Sequence, residues 1–397
     1  MLKRRVPLLL LILLASSLEA QAPVLGSRAA ALIDTATGTV LYSKNGDEEL
    51  PPASLTKLMT MHLVLEDVSS GRVSLDDIVS LPPASWARNQ PPRSSLMFLD
   101  EGQTVSLREI LLGLAIPSGN DAAMAAALYL ETSVEAFVDR MNREAQRLGL
   151  TSTSFVEPSG ISEYNKTTAL EFARFCCFYL VRHPEAPAAY HSVRQFAYPR
   201  ASNVPAPLRS RPGTIVQPNR NELLRLFPGV DGLKTGYIDE VGYNIALSAE
   251  RDGTRFAAVL LGAPSAGQGE RIRTNDSLAL LEWAFSAFKT LRPEIPEPEP
   301  IGVWKAKEKN AALIPGSRPE RTVPKERGRN IRFQTVINEP ILAPLPAGSA
   351  VGEIILFDDD GELYRIPLTL KNNLEQGNWF KRLWDSIRLF FMGLGRR

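Results

Sequence analysis

Apolar positions recur along this chain at two different steps. Ala29 to Asp34 and Thr39 to Tyr42 read as two strands joined by a turn at Thr37-Gly38. Pro51 and Pro52 then favour an extended approach, and Ser54 opens a helical run to about Asp67 that carries Leu58, Met59, Met61 and Leu65. Leu107 to Leu114 reads as a short helix, and Asn120 to Tyr129 and Val134 to Leu148 as amphipathic ones. In the last of these Phe137, Met141 and Ala145 fall at four-residue spacing. Thr168 to Val181 continues the helical pattern. Residues 82–92 and 184–218 are Pro-rich or loop-rich, the second with polar strand-like pieces. Gly232 to Thr235, Tyr243 to Ala249 and Phe256 to Leu261 read as strands, and Asp276 to Phe288 as a helix. Helices on either side of a largely antiparallel sheet predict an α/β (α+β) domain over residues 21–290.

The pattern then changes. Pro293-Glu294-Ile295-Pro296-Glu297-Pro298-Glu299-Pro300 reads as a semi-rigid linker within 291–300. Residues 301–372 hold short strand-like runs, among them Ile331 to Val336, Ala350 to Phe357 and Leu363 to Leu370, and predict a small all-β domain. Its basic run, Lys305 to Arg332, reads as solvated loops. In the tail, residues 377–397, Phe380, Leu383, Trp384, Ile387, Phe391 and Leu394 recur at three- and four-residue steps. Lys381, Arg382, Arg388, Arg396 and Arg397 stand against Asp385. Aromatic and basic residues on one helix suit an anchor lying on an anionic membrane surface. Its charges interrupt it too often for a span. Packing on the β domain or on a partner is the alternative.

Composition adds little to this division. The chain has 397 residues, 44% apolar and 22% charged, with a net charge of +1, so it carries no global nucleic-acid footprint. Lys3, Arg4 and Arg5, an apolar core from Leu8 to Ala15 and small residues up to Ala22 predict a signal peptide over residues 1–20. Cys176 and Cys177 are neighbours on a helix and point apart, so a disulfide between them is not expected. The histidines, His62, His183 and His191, have no metal-ligand spacing and lie in no recognisable motif.

Candidate chemistry starts at Ser54-Leu55-Thr56-Lys57. On a helix Ser54 and Lys57 share a face, and a hydroxyl beside an amine makes a nucleophile without histidine, provided burial or a second cation keeps the amine partly neutral. Alone, the tetrapeptide is a weak signal and reads more simply as a capping serine and a solvated lysine. Two later stretches decide between these. Ser118-Gly119-Asn120 follows 64 residues on (54 to 118), and Lys234-Thr235-Gly236 another 116 (118 to 234). S-x-x-K, S-x-N and K-T-G in that order form the signature set of penicillin-recognising serine enzymes.

With these motifs, Met141-Asn142, Leu148-Gly149-Leu150, Asn219 with Asn221, Asp231-Gly232-Leu233 before the K-T-G, Ala343-Pro344-Leu345 and the amphipathic tail, the chain resembles the low-molecular-mass penicillin-binding proteins of the D-alanyl-D-alanine carboxypeptidase family. The resemblance implies a catalytic domain, a β-rich stalk and a peripheral anchor. It also implies acyl transfer at the D-Ala-D-Ala end of peptidoglycan stem peptides, with β-lactams as inhibitors. Ser54 would be the nucleophile and Lys57 its base, its pKa lowered by Lys234. Ser118 and Asn120 would complete the catalytic set. Lys234, Thr235, Gly236 and Tyr237 would bind substrate, with the N–H groups of Ser54 and Tyr237 as oxyanion hole. Arg273, with Arg271 second, would assist at the substrate carboxylate. The chemistry needs no metal or organic cofactor. A homodimer remains compatible with the sequence. Glu157, Asn165 and Glu171 depart from residues common in the family. Rival readings are a serine β-lactamase, a D,D-endopeptidase and a silent wall-binding scaffold. An E-x-x-L-N motif that would position a deacylating water is absent between Ser118 and Lys234.

Overall fold

The computed structural model describes residues 21–205 and 213–394. The expected signal peptide and Arg396 and Arg397 of the tail lie outside the described residues. β1 (Ala29–Asp34) and β2 (Val40–Lys44) form the expected hairpin, with Leu32 opposite Tyr42. A single 3-10 turn (Ala53–Thr56) then leads into α1 (Lys57–Ser69). Ser54 therefore sits on the tight turn ahead of the α-helix.

Three helices follow: α2 (Leu107–Ala115), α3 (Asn120–Leu130) and α4 (Val134–Arg147). At the start of α2 the Ser106 hydroxyl accepts the Glu109 N–H, and the Glu109 carboxylate accepts the Ser106 N–H, a reciprocal cap that satisfies two helix-end donors. Helix α5 (Ala169–Arg182) is capped by the Thr168 hydroxyl. The loop-rich stretch holds a short hairpin, β3 (Gln195–Tyr198) with β4 (Ile215–Pro218), and one turn, α6 (Leu223–Leu226).

β5 (Val230–Ile238), β6 (Gly242–Arg251) and β7 (Thr254–Ala263) complete a five-stranded antiparallel sheet in the order β2-β1-β7-β6-β5. The period of two along β1 divides its side chains between two cores. Ala29, Ala31 and Ile33 face the core shared with α1 to α5, whereas Ala30 and Leu32 face the core shared with α7 (Gly269–Ala287). The sheet is thus covered on both faces, as expected. Helix α7 starts at Gly269, before the expected Asp276, because its first two turns (Glu270, Arg271, Arg273, Thr274) are too polar to show helical periodicity.

Phe288, expected to end that helix, instead opens strand β8 (Phe288–Leu291). After the extended linker come β9 (Ile301–Gly302), β10 (Asn310–Ala311), β11 (Leu313–Pro315), β12 (Arg321–Pro324), β13 (Arg332–Ile337), β14 (Ala350–Asp358) and β15 (Gly361–Leu370). A four-stranded sheet, β11-β15-β14-β13, encloses its own core of Leu313, Val351, Ile354, Leu356, Ile366 and Leu368. Strand β12 pairs with β8, so the C-terminal unit is tied back to the first domain. The buried Asp34 carboxylate accepts hydrogen bonds from the hydroxyls of Thr290 (2.7 Å) and Thr322 (2.8 Å) at this junction.

Helix α8 (Trp379–Leu394) closes the described chain. Asp385 is buried and accepts the Lys305 N–H at 2.7 Å, and Arg388 lies 5.3 Å from the centre of the Trp304 ring. These contacts dock one side of α8 on the β domain. Phe380, Trp384 and Phe391 remain exposed on the other. Among the described residues no helix is long and apolar enough to cross a membrane.

Candidate active site

The turn that carries Ser54 is wedged between two backbone segments. Gly160 takes a left-handed φ of +79°, and a Cβ there would stand 1.8 Å from the Ala53 carbonyl oxygen, so only glycine fits. On the other side a Cβ on Gly236 would lie 3.1 Å from the Ser54 nitrogen. β5 therefore runs close beside the turn and brings the K-T-G residues to Ser54.

Lys57, the first residue of α1, reaches back into this wedge. Its Nζ donates to Ser54 Oγ (3.1 Å), Asn120 Oδ1 (2.8 Å) and the Ser159 carbonyl (2.5 Å). Those three acceptors fully occupy an ammonium's three donors. The side chain is wholly buried, and burial is the main force that lowers its pKa to about 7. The charges of Glu157 and Asp121 act upward and that of Arg220 downward. The sequence expectation names Lys234 as the nearby cation; the structure adds Arg220, and Lys57 and Lys234 oppose each other's charge. Arg220 is exposed at its surface edge, so its field on Lys57 is partly screened.

Lys234 is also buried, and its Nζ donates to the Thr235 carbonyl at 2.9 Å. Burial first, then Lys57, Arg220 and Arg273, holds its pKa well below the usual lysine range. Three cations around one cleft make it a receptor for an anion, and an arriving carboxylate would restore the charge on Lys234 by the same coupling. Arg273 belongs to this group. Its guanidinium is buried, 3.3 Å from Glu270 and 3.6 Å from Glu222, with Nε lacking an acceptor among the described residues. Its centre stands 5.8 Å from the Tyr243 ring, which lies 4.5 Å from the Tyr237 ring. Arg271 pairs instead with Gln268 at the surface.

Ser118 adopts a left-handed φ of +65°, and its Oγ is buried without a hydrogen-bond partner among the described residues. Strain of this kind persists only where surroundings enforce it. Here Gly119 N–H donates to the Gly113 carbonyl and Asn120 N–H to the Ser95 carbonyl. Asp121 accepts the N–H groups of Met97, Phe98 and Leu99 at 2.7 to 3.0 Å. Asn120 Nδ2 donates to Ser94 Oγ at 3.2 Å, so its amide bridges Lys57 and the 94–99 segment.

Glu157 and Asn165 prove to be one unit. Asn165 Nδ2 donates to Glu157 Oε1 (2.9 Å) and to Thr56 Oγ1 (3.1 Å), while Glu157 accepts the N–H groups of Ser159 and Gly160. The pair shapes the turn whose Ser159 carbonyl receives Lys57. Glu171 accepts from Ser152 N–H and Thr153 Oγ1 beneath it. No histidine among the described residues bonds to Ser54. His191 lies behind β5, held by Tyr179 and the Leu233 carbonyl.

Two sequence profiles match the chain. "D-alanyl-D-alanine carboxypeptidase" covers residues 16–265. "Penicillin-binding protein 5, C-terminal domain" covers residues 294–376. The D-alanyl-D-alanine carboxypeptidase DacC of Escherichia coli is 35% identical over 378 residues, 94% of this chain and 90% of that protein. Penicillin-binding protein 5 of Haemophilus influenzae superposes with a TM-score of 0.77 at 28% identity, over 90% of this chain and 99% of that one. Penicillin-binding protein D2 of Listeria monocytogenes, solved in an ampicillin-bound form, superposes with a TM-score of 0.56 at 30% identity, over 67% of this chain and 100% of that one.

Proposed function

The chain belongs to the D-alanyl-D-alanine carboxypeptidase family, and we propose that Ser54 is the nucleophile and Lys57 the base of its acyl transfer. The protein is a penicillin-binding serine hydrolase that removes the terminal D-alanine from peptidoglycan stem pentapeptides. One observation carries the residue assignment: the buried Lys57 amine, with its pKa lowered to about 7, lies 3.1 Å from Ser54 Oγ.

In this reading Ser54 Oγ attacks the carbonyl between the two D-alanines as its proton passes to Lys57 Nζ. The oxyanion forms between the N–H groups of Ser54 and Tyr237. Ser118 Oγ, with no partner of its own, relays a proton to the departing D-alanine nitrogen. Asn120 holds the Lys57 amine in place. Lys234, Thr235 and Gly236 on β5 and Arg273 on α7 receive the substrate carboxylate. Water then hydrolyses the acyl-enzyme. β-Lactams acylate Ser54 by the same first step, in keeping with the ampicillin-bound Listeria relative.

Residues 21–290 form the catalytic domain, 291–300 the linker and 301–372 the stalk. We infer periplasmic placement at the outer face of the inner membrane, with residues 1–20 as signal peptide and 377–397 as peripheral anchor. The exposed aromatic stripe of α8 supports that anchor.

Intact mass after addition of benzylpenicillin tests the mechanism. A slowly decaying adduct mapped to Ser54, absent in Ser54→Ala, is expected. Rapid drug turnover without an adduct would identify a β-lactamase, and neither adduct nor turnover would overturn the assignment.

A further inference from the structure

We propose that His62, Glu66 and His183 form a binding site for a divalent cation of the zinc type, on the far half of α1 from the catalytic cleft. None of the three takes part in the acyl transfer described above. His62 and Glu66 are i and i+4 on α1 and so share one face. His183 follows the last residue of α5. The sequence hides the constellation, because 121 residues separate the two histidines.

The ligand atoms converge. His62 Nδ1 stands 2.9 Å from His183 Nε2, and His183 Nε2 3.6 Å from Glu66 Oε1. All three lie within 4.8 Å of one another. Zinc bound by nitrogen and oxygen at about 2.0–2.1 Å in a tetrahedron separates its ligands by roughly 3.3 Å. The first two distances bracket that value, so the rings need shift by only a few tenths of an ångström. Glu66, on the surface side, makes the larger adjustment.

Proton placement also suits a metal. His62 Nε2 lies 2.8 Å from Glu144 Oε1, and the carboxylate requires an N–H there. Nδ1 of His62 is then an unprotonated ligand, oriented from behind by a carboxylate as metal-bound histidines usually are. His183 Nε2 then carries the proton that it donates to His62 Nδ1, so a metal binds by breaking that hydrogen bond and leaving the His183 proton on Nδ1. Both rings are buried, which fixes their positions before binding. Glu66 Oε1 is buried with no aligned hydrogen-bond donor among the described residues, although Arg182 Nε stands 2.6 Å away. A cavity of about 510 Å³ opens beside Glu66 and Glu144; neither histidine lines it, so an ion would enter past Glu66. Two imidazoles and one carboxylate make a donor set that zinc accepts readily. The ion would pin α1 to the end of α5 and add to stability.

Arginines set the limit on affinity. Five arginines, Arg72, Arg140, Arg143, Arg147 and Arg182, line the same cavity, with Arg147 paired to Glu144 and Arg182 to Glu66. Arg182 competes directly for the carboxylate that the metal needs.

The test uses the mature chain without a histidine tag, stripped with EDTA and then titrated with Zn2+ against a competing chelator. One equivalent is expected, with Tm raised by roughly 5 °C at a hundredfold excess over Kd. Co2+ in its place should give the visible absorption of a tetrahedral site. His183→Gln and Glu66→Gln should each weaken binding at least tenfold, whereas Arg182→Ala should tighten it by releasing Glu66. Benzylpenicillin acylation checks that each variant is folded. If His183→Gln misfolds, Glu66→Gln, at a half-exposed position, decides. Absence of any Zn2+-dependent shift in the unaltered chain, or equal affinity in the folded variants, would overturn the site.

Discussion

Below pH 7 the Lys57 amine holds its proton and cannot take another from Ser54. Its pKa is lowered to about 7, chiefly by burial, so the rate of acylation should fall on the acid side with a midpoint near that value. Measuring the second-order rate of benzylpenicillin acylation from pH 5 to 9 checks this. Lys57→Ala removes the base and should slow acylation by about 10²–10⁴-fold at pH 8. The negative charge of Glu157 acts in the opposite sense to burial, since it favours the ammonium form. Glu157→Gln removes that charge, and its one amide oxygen can accept only one of the Ser159 and Gly160 N–H groups that the two carboxylate oxygens now accept. The Lys57 pKa should drop further, and the midpoint should move to lower pH, with more activity retained at pH 6. A midpoint that moves upward would show that Glu157 acts through the shape of its turn and not through its charge.

At the scale of elements, the nucleophile depends on how closely the 157–160 turn and β5 approach the 3-10 turn at Ser54. Gly160→Ala tests this dependence. The added methyl group would meet the Ala53 carbonyl oxygen at 1.8 Å, in a backbone conformation that L-residues adopt at a cost of about 1–2 kcal/mol. The variant should lose at least that much stability in a urea titration. It should lose acylation more steeply still, because the displaced segment carries Ser54. Helices with a strong apolar period and a capping residue, such as α2 and α5, were legible in the sequence, as were the strands whose apolar runs fill the two cores. The three ordered motifs also pointed to Ser54, Lys57, Ser118, Asn120 and Lys234, because their spacing is carried by the chain itself. What the sequence hid depends on partners distant along the chain. Arg220 acts on Lys57 only through the fold. Glu157 and Asn165 look like two separate departures until their side chains meet at 2.9 Å. Strand β8 showed no strand signal in the sequence, because the strand that pairs with it, β12, comes 30 residues later (291 to 321).

For the whole molecule, the proposed anchor raises the question of how α8 and the catalytic domain are joined. Asp34, Thr290 and Thr322 join the first domain to the β domain, and the β8–β12 pairing adds backbone hydrogen bonds to the same junction. Asp385 and Arg388 dock α8 on the β domain while Trp379, Phe380, Trp384, Phe390 and Phe391 stay exposed. So many large apolar groups on one helix exceed the scattered exposure usual on a soluble surface. They would suit burial at a lipid headgroup boundary, with the exposed Arg382 placed to meet anionic phosphates. Removing residues 379–397 should abolish sedimentation with vesicles containing anionic lipid and leave the acylation rate unchanged, since the α8 contacts described above are with the β domain. Salt separates the two contributions. Raising it from 0.1 to about 1 M shortens the screening length from about 10 to 3 Å, so binding through charge alone would be lost. Binding through aromatic burial should persist at reduced strength, and Trp384→Ala combined with Phe391→Ala should then release the protein at high salt. Full retention of vesicle binding without α8 would shift the membrane contact to another surface.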